Sequence, residues 1–197
     1  MKKTIITLIS SFLLCIFFAG CSTSNNETYF VHGIGFDKEN DEYIIYAILE
    51  KAGNGKDNYF TATQKGKSIE NAAKSITHKY NDCYFATSEF YFIKENASDE
   101  LISDIAKEIC DSNIYPSKSK IACIVDYDFE KLLSSVKSEN DIKKIAKLTE
   151  NSQTNAVRFF SMFTSDKKVS IPSLKIGSDE KFQKAKNIQY LKNEERI

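Results

Sequence analysis

Runs of alternating or continuous apolar residues divide the chain beyond residue 28 into short predicted strands. The first three runs are joined only by polar turns, which predicts an antiparallel meander. Two further runs each follow a predicted helix. The five predicted strands lie at 29–37, 43–50, 59–64, 83–93 and 120–126.

Apolar residues at helical spacing predict two helices, which begin after Ser68 and Ser98. Both serines are favourable N-caps because the hydroxyl accepts a hydrogen bond from the first turn. A longer region, 126–164, also has helical character and carries three apolar patches. The last patch comprises Val157, Phe159, Phe160, Met162 and Phe163.

The end of the chain returns to extended structure. Pro172 lies in a segment predicted to be an extended edge segment, and 187–191 form a possible last strand. The order βββ-α-β-α-β-ααα-β mixes hairpins with strand–helix–strand crossovers. We therefore predict an α+β fold with a mixed, largely antiparallel sheet of about five strands covered by helices.

The first twenty residues have the pattern of an export signal. Lys2 and Lys3 precede an apolar run, 4–19, and the small residues before Cys21 suit a cleavage site. The run is short for a membrane span, which needs about 20 residues. The segment "FFAGC" resembles a bacterial lipobox, with Phe where leucine is usual. The other interpretation is an uncleaved anchor with an ordinary buried cysteine.

The lipobox interpretation predicts the organisation of the N-terminal part. Residues 1–20 are a lipoprotein signal peptide, Cys21 carries diacylglycerol, and 21–28 are a flexible tether. The lipid would hold the protein on the membrane without spanning it.

Charge and composition exclude several classes of protein. The chain has 27 basic and 27 acidic residues, and without Lys2 and Lys3 the mature chain has 25 basic residues and a net charge of about −2. No basic stripe indicates nucleic-acid binding. A hydrophobic content of 42%, with 14 Phe and 10 Tyr, is enough to build a core.

Three cysteines remain in the mature domain after Cys21, namely Cys83, Cys110 and Cys123. Their number is odd and no pair has CxxC spacing, so neither a zinc site nor a complete disulfide set is indicated. Their apolar surroundings favour small core residues. One disulfide among the three is left open.

The stretch His32–Gly35, "HGIG", resembles an oxyanion hole or a phosphate loop, but it lacks the required partners. The chain has no G-x-S-x-G elbow, and the third glycine of a dinucleotide fingerprint is missing. We predict glycines within a strand, where a bulge or a close backbone approach is needed.

The acidic run 37–42 does not match a calcium loop either. Glu42 stands where glycine is required and Ile48 where glutamate is required, so we predict a solvated hairpin turn. His78 lies near Cys83, but the apolar strand would raise the pKa of that thiol. With no HExxH, P-loop or metal-ligand spacing, we predict no catalytic, cofactor or metal site and no enzyme activity.

Several segments, taken in order, resemble the N-terminal domain of the Ger(x)C spore-germination lipoproteins. They are "GIGFDKENDEYIIYAIL", "TATQKGKSIENAAKSI", "YFATSEFYFIKE", "LISDIAKEICDSNIYPSKSKIACIVDYDFEKLL", "FFSMFTSDKKVSIPSLKI" and "NIQYLKNEERI". The chain departs at Thr87-Ser88, where relatives usually have Gly-His or a similar pair. The resemblance implies a domain over 29–180 and the start of a truncated second domain over 181–197.

The resemblance also implies a function. Such proteins are the C subunits of nutrient germinant receptors, lie on the outer face of the spore inner membrane and work with two integral-membrane subunits. The resemblance transfers one functional position, Cys21. The alternative, which rests on the lipobox alone, is a solute-binding or envelope-maintenance lipoprotein unrelated to spores.

Overall fold

Three consecutive antiparallel strands form one side of the main sheet. The computed structural model describes residues 27–53, 58–124, 129–150, 155–165, 167–177 and 182–190, so Cys21 and the signal lie outside the described residues. The strands are β1 (Tyr29–Glu39), β2 (Glu42–Lys51), β3 (Tyr59–Gly66), β4 (Cys83–Tyr84), β5 (Phe90–Lys94), β6 (Lys120–Ile124), β7 (Val169–Ile171), β8 (Ser173–Ile176), β9 (Phe182–Lys184) and β10 (Ile188–Tyr190).

The main sheet has the order β3-β2-β1-β5-β6-β8-β9, and β4 also pairs with β1. The hairpin pairs β1–β2 and β2–β3, like β8–β9, are antiparallel, whereas β1–β5, β5–β6 and β6–β8 are parallel. Strands β7 and β10 form a separate two-stranded sheet. The predicted α+β class with a mixed sheet is confirmed: the five central strands correspond to the predicted ones, and β8 and β9 extend them.

Helices cover both faces of this sheet. They are α1 (Ile69–Lys79), α2 (Asp99–Asp111), α3 (Phe129–Ser134), α4 (Glu139–Leu148) and α5 (Ala156–Thr164). The first apolar cluster joins one face of the sheet to α1, α2 and α5, and the second joins the other face to α3 and α4. Within the described ranges, no helix is both long and apolar enough to cross a membrane.

The helix starts agree with the sequence. The hydroxyls of Ser68 and Ser98 accept hydrogen bonds from the amides of Asn71 and Leu101, so both predicted N-caps are confirmed. In α5, Phe159, Phe160 and Phe163 are buried, as predicted.

Val157 differs from the prediction, because its side chain is 45% exposed. It is the second residue of α5, and its amide donates to the carbonyl of Ser117 in the loop before β6. The side chain therefore lies at the exposed end of α5 instead of in the core between the helix and the sheet.

The β1–β2 turn is shorter than predicted. Asn40 and Asp41 have φ values of 47° and 63°, as a two-residue type I′ turn requires. Asp37, which was predicted to lie in a solvated turn, is instead a buried residue of β1. Its carboxylate forms an ion pair with Lys94 at the end of β5, which neutralises the charge and lets the strand continue.

The predicted strand 83–93 is interrupted. A 3-10 turn, Phe85–Thr87, separates β4 from β5. The hydroxyl of Thr87 donates to the carbonyl of Val31 and the amide of Glu89 donates to that of His32. The 3-10 turn therefore lies beside the irregular part of β1 around Val31 and His32. The two hydrogen bonds satisfy the carbonyls that would otherwise pair with a neighbouring strand.

Pro172 lies between two strands that belong to different sheets. Strand β7 before it pairs with β10, and β8 after it lies between β6 and β9, so the predicted edge position of this segment is wrong for β8. Proline lacks an amide hydrogen, which suits a position where the chain leaves one ladder and enters another. The predicted boundary at residue 180 stays a prediction.

Gly66 ends β3 directly beneath the first turn of α1. A Cβ at this position would lie 2.5 Å from the backbone nitrogen of Ala72. We expect Gly66→Ala to lower the free energy of unfolding, because overpacking costs about 1–3 kcal/mol and outweighs the about 0.4–1 kcal/mol gained from a stiffer unfolded chain. Urea denaturation followed by far-UV circular dichroism measures the change.

The neighbouring Lys67→Ala is the matched control. The Lys67 side chain is 75% exposed, and its ammonium lies 3.6 Å from the Glu42 carboxylate. We expect this variant to stay within about 0.5 kcal/mol of the parent. Equal stability of the two variants would contradict the close approach at Gly66.

Candidate functional site

The glycine-containing stretch singled out in the sequence contains a β-bulge. The register between β1 and β2 shifts between Val31 and Gly33, which leaves His32 without a directly opposed residue. The predicted bulge is thus confirmed. Two residues further on, a Cβ on Gly35 would lie 2.5 Å from Leu133 and 2.6 Å from Phe129, so α3 packs closely over the strand there.

The bulge places the His32 ring between two carboxylates. Its Nε2 lies 2.7 Å from Oε2 of Glu50 on β2, and its Nδ1 lies 3.0 Å from Oε1 of Glu89, the residue before β5. The three residues connect three neighbouring strands of the sheet. We call these residues, with the surrounding pocket, the His32 site.

The two contacts depend on how many N–H donors the imidazole ring carries. A neutral ring has one N–H donor, whereas carboxylates at both nitrogens accept two hydrogen bonds. Both contacts are therefore hydrogen bonds at the same time only when the ring carries both protons. The Glu50 and Glu89 side chains are 36% and 49% exposed, so water also solvates the carboxylates and weakens each pair.

A pocket of about 460 Å³ opens beside the ring. Its walls are Tyr59 of β3 and one face of α4, with Ile142 and Ala146 supplying apolar surface. The Tyr59 and His32 rings have centroids 5.2 Å apart. Burial, followed by the charge of Glu50, raises the pKa of the Tyr59 phenol, so at neutral pH the hydroxyl is a hydrogen-bond donor.

The rim of the pocket carries an ion pair on one turn of α4. The Lys143 ammonium lies 2.8 Å from the Glu139 carboxylate. The hydrogen bond from Lys143 lowers the pKa of Glu139, and the nearby His32 acts in the same direction. Charges of both signs therefore surround the opening.

The chemistry available in this pocket is hydrogen bonding and charge pairing. The residues that line it include no serine, threonine or cysteine that could act as a nucleophile. Across the described ranges, no group of three His, Cys, Asp or Glu side chains has an arrangement that could hold a metal ion. The His32 site is built to join strands and to contact polar groups.

Sequence reasoning identified His32 but not its two partners. Glu50 was assigned to the end of a strand and Glu89 to the interior of another. No motif marks either residue, because the three come together only through the β1–β2 and β1–β5 register. The one available signal is the alternation of side chains along β2, which places Glu50 on the same face of the sheet as the His32 ring.

The cysteines give no sign of a reactive centre. Cys83 and Cys110 are free thiols, and Cys110 is exposed, so its predicted position in the core is wrong. Burial raises the pKa of the Cys83 thiol to about 11, which confirms the expected direction. The side chain of Cys123 lies outside the described residues, and the lipidation of Cys21 stays a prediction.

Comparison with known proteins places the chain in a family. Residues 23–176 match the family described as spore germination protein N-terminal domain. The chain belongs to this family. The match covers most of the chain and confirms the resemblance noted in the sequence. No curated protein and no solved structure matches the chain.

Membership of the spore germination protein N-terminal domain family gives the chain a role in spore germination. The matched region contains the hairpin β1–β2, the five described helices and β8. The His32 site therefore lies wholly inside the family domain.

A double-mutant cycle tests the His32 pairing. We expect His32→Leu to destabilise the domain by about 1 kcal/mol through lost hydrogen bonds. The same change should cost less when Glu50 is already Gln, because the charged partner is then absent. Urea denaturation of the four proteins gives the coupling energy.

His78→Leu is the control for this cycle, since His78 is the only other histidine and is exposed. We expect it to change the free energy of unfolding by less than about 0.5 kcal/mol. Strict additivity of His32→Leu and Glu50→Gln would show that the two side chains do not interact in solution.

Thiol labelling tests the environment of the cysteines. With a thiol pKa of about 11, Cys83 has little thiolate at pH 8, and burial also limits access. We expect iodoacetamide at pH 8 to modify Cys110 well before Cys83, as measured by peptide mass spectrometry over time. In urea the two rates should converge, and faster labelling of Cys83 in the native protein would refute the assignment.

Proposed function

We propose that the protein is a membrane-anchored lipoprotein subunit of a nutrient germinant receptor, which acts in spore germination by binding and assembling with integral-membrane partner subunits. The observation that carries the proposal is the family match over residues 23–176. The match begins two residues after Cys21, so the segment that resembles a lipobox directly precedes the germination domain. This arrangement favours the receptor subunit over an envelope lipoprotein unrelated to spores.

The site chemistry is consistent with a binding role and no catalysis. The His32 site offers paired charges and hydrogen-bond donors at a sheet end, and its lining lacks a nucleophile. In this proposal the lipid on Cys21 holds the domain on the extracytoplasmic face of the spore inner membrane. Interaction with the membrane subunits is then confined to two dimensions, which raises their effective concentration.

Complementation of a deletion strain tests the proposal. We expect deletion of the gene to reduce nutrient-triggered germination, and the parent gene to restore it. Cys21→Ser should restore it poorly, because the precursor can be neither lipidated nor cut before residue 21. Loss of refractility after nutrient addition measures germination, and fatty-acid labelling measures lipidation.

Cys110→Ser is the control, because this exposed cysteine lies within the germination domain and outside the lipobox. It should restore germination and retain the lipid label. An unchanged response of the deletion strain to every nutrient would contradict the receptor role. Normal lipid labelling of the Cys21→Ser protein would contradict the anchor.

A further inference from the structure

The exposed apolar side chains of the domain lie at one edge. Among the residues that the structure describes, the large hydrophobic side chains that are exposed are Tyr84 at 50%, Ile114 at 44% and Val157 at 45%. Single exposed apolar residues are ordinary on a protein surface, so the position that these three share is the informative feature.

Each of the three lies where parallel strands of the main sheet begin. Tyr84 is opposite Phe30 at the start of β1, with ring centroids 6.0 Å apart. Ile114 lies in the loop that leads from α2 into β6. The amide of Val157 donates to the carbonyl of Ser117 in the same loop. We call Phe30, Tyr84, Ile114 and Val157 the strand-start edge.

Buried aromatic contacts join these positions into one edge. Tyr115, which follows Ile114, packs edge-on against Phe85, which follows Tyr84, with centroids 5.8 Å apart. The hydroxyl of Ser119 donates to the carbonyl of Ser88, which ties the same two loops together. The segments that carry Tyr84 and Ile114 are therefore held against each other.

The length of the tether restricts how the domain can lie on a membrane. Eight residue steps separate Cys21 from Tyr29, so the start of β1 lies at most roughly 28 Å from the lipidated residue. The eleven residues of β1 span roughly 36 Å along the strand. With the opposite edge on the membrane, the tether could not reach the start of β1. The strand-start edge can approach the bilayer freely.

We propose that the strand-start edge rests on the lipid surface, with Tyr84 and its apolar neighbours in the headgroup region. The inference rests on the lipid anchor of the proposed function. Tyrosine suits this position because its ring is apolar while its hydroxyl reaches water. The contact orients the domain, so the β1–β2 turn and the starts of α1 and α2 point away from the membrane.

The charges at this edge indicate the kind of lipid. Lys79 and Lys118 are exposed there, and so are Asp82 and Asp111. Because both signs are present, no strong field favours anionic headgroups. We expect a zwitterionic bilayer to be sufficient and added salt to have little effect on the contact.

Fluorescence from a single introduced tryptophan tests the contact, since the chain contains no tryptophan. The lipidated mature protein is placed in phosphatidylcholine vesicles, with or without brominated acyl chains. We expect Tyr84→Trp and Val157→Trp to show blue-shifted emission and quenching by bromine. Lys67→Trp, beside the β1–β2 turn at the opposite edge, should show neither.

Flotation of the vesicles separates this inference from the anchor. Protein that floats while the indoles at 84 and 157 are quenched no more than the one at 67 would overturn the orientation and leave the anchor intact. Protein that fails to float would refute the anchor and the inference together. A blue shift found only in native spore membranes would show that a protein partner covers the edge, which also overturns contact with lipid.

Discussion

The structure depends on β1 being paired on both sides and covered on both faces. It is antiparallel to β2 on one side and parallel to β4 and β5 on the other. A strand in this position must satisfy its backbone groups within the sheet and pack side chains in two directions. The buried carboxylate of Asp37 on β1 is neutralised by an ion pair with the ammonium of Lys94 on β5.

The bulge in β1 lies where two kinds of strand pairing meet, the antiparallel pairing with β2 and the parallel pairing with β5. The hairpin with β2 and the crossover to β5 meet beside His32, and the extra residue there turns its side chain toward Glu50 and Glu89. The bulge thus also places His32 in the wall of a pocket lined by both charged and apolar side chains. The polar contacts link β1, β2 and the residue before β5, which gives the histidine a structural role in the sheet.

The helix layers limit access to the sheet itself. In the described part of the chain, three helices cover one face and two cover the other, so the sheet is accessible at its edges. Exposed apolar residues gather where the chain toward Cys21 leaves the domain. The family match gives the chain a role in spore germination, and under the proposed anchor the few residues between Cys21 and β1 would limit how the domain can lie.

Local patterns were sufficient for the central strands and for the starts of α1 and α2. Strand periodicity and serine N-caps act over a few residues, so their outcome could be predicted from the chain alone. The family resemblance also came from ordered local segments. Predictions were wrong where the outcome depended on distant residues: the burial of Asp37, the interior position of β8 and the exposure of Val157.

The sequence by itself determined the fold class, the starts of α1 and α2, the position of the glycines within a strand and the family. The tertiary structure decided which side chains meet. Glu50 and Glu89 lie 18 and 57 positions from His32, and only the strand register brings them to the same ring. Register is a property of the whole sheet, because a shift of one residue moves every side chain to the other face. No local pattern contains that information.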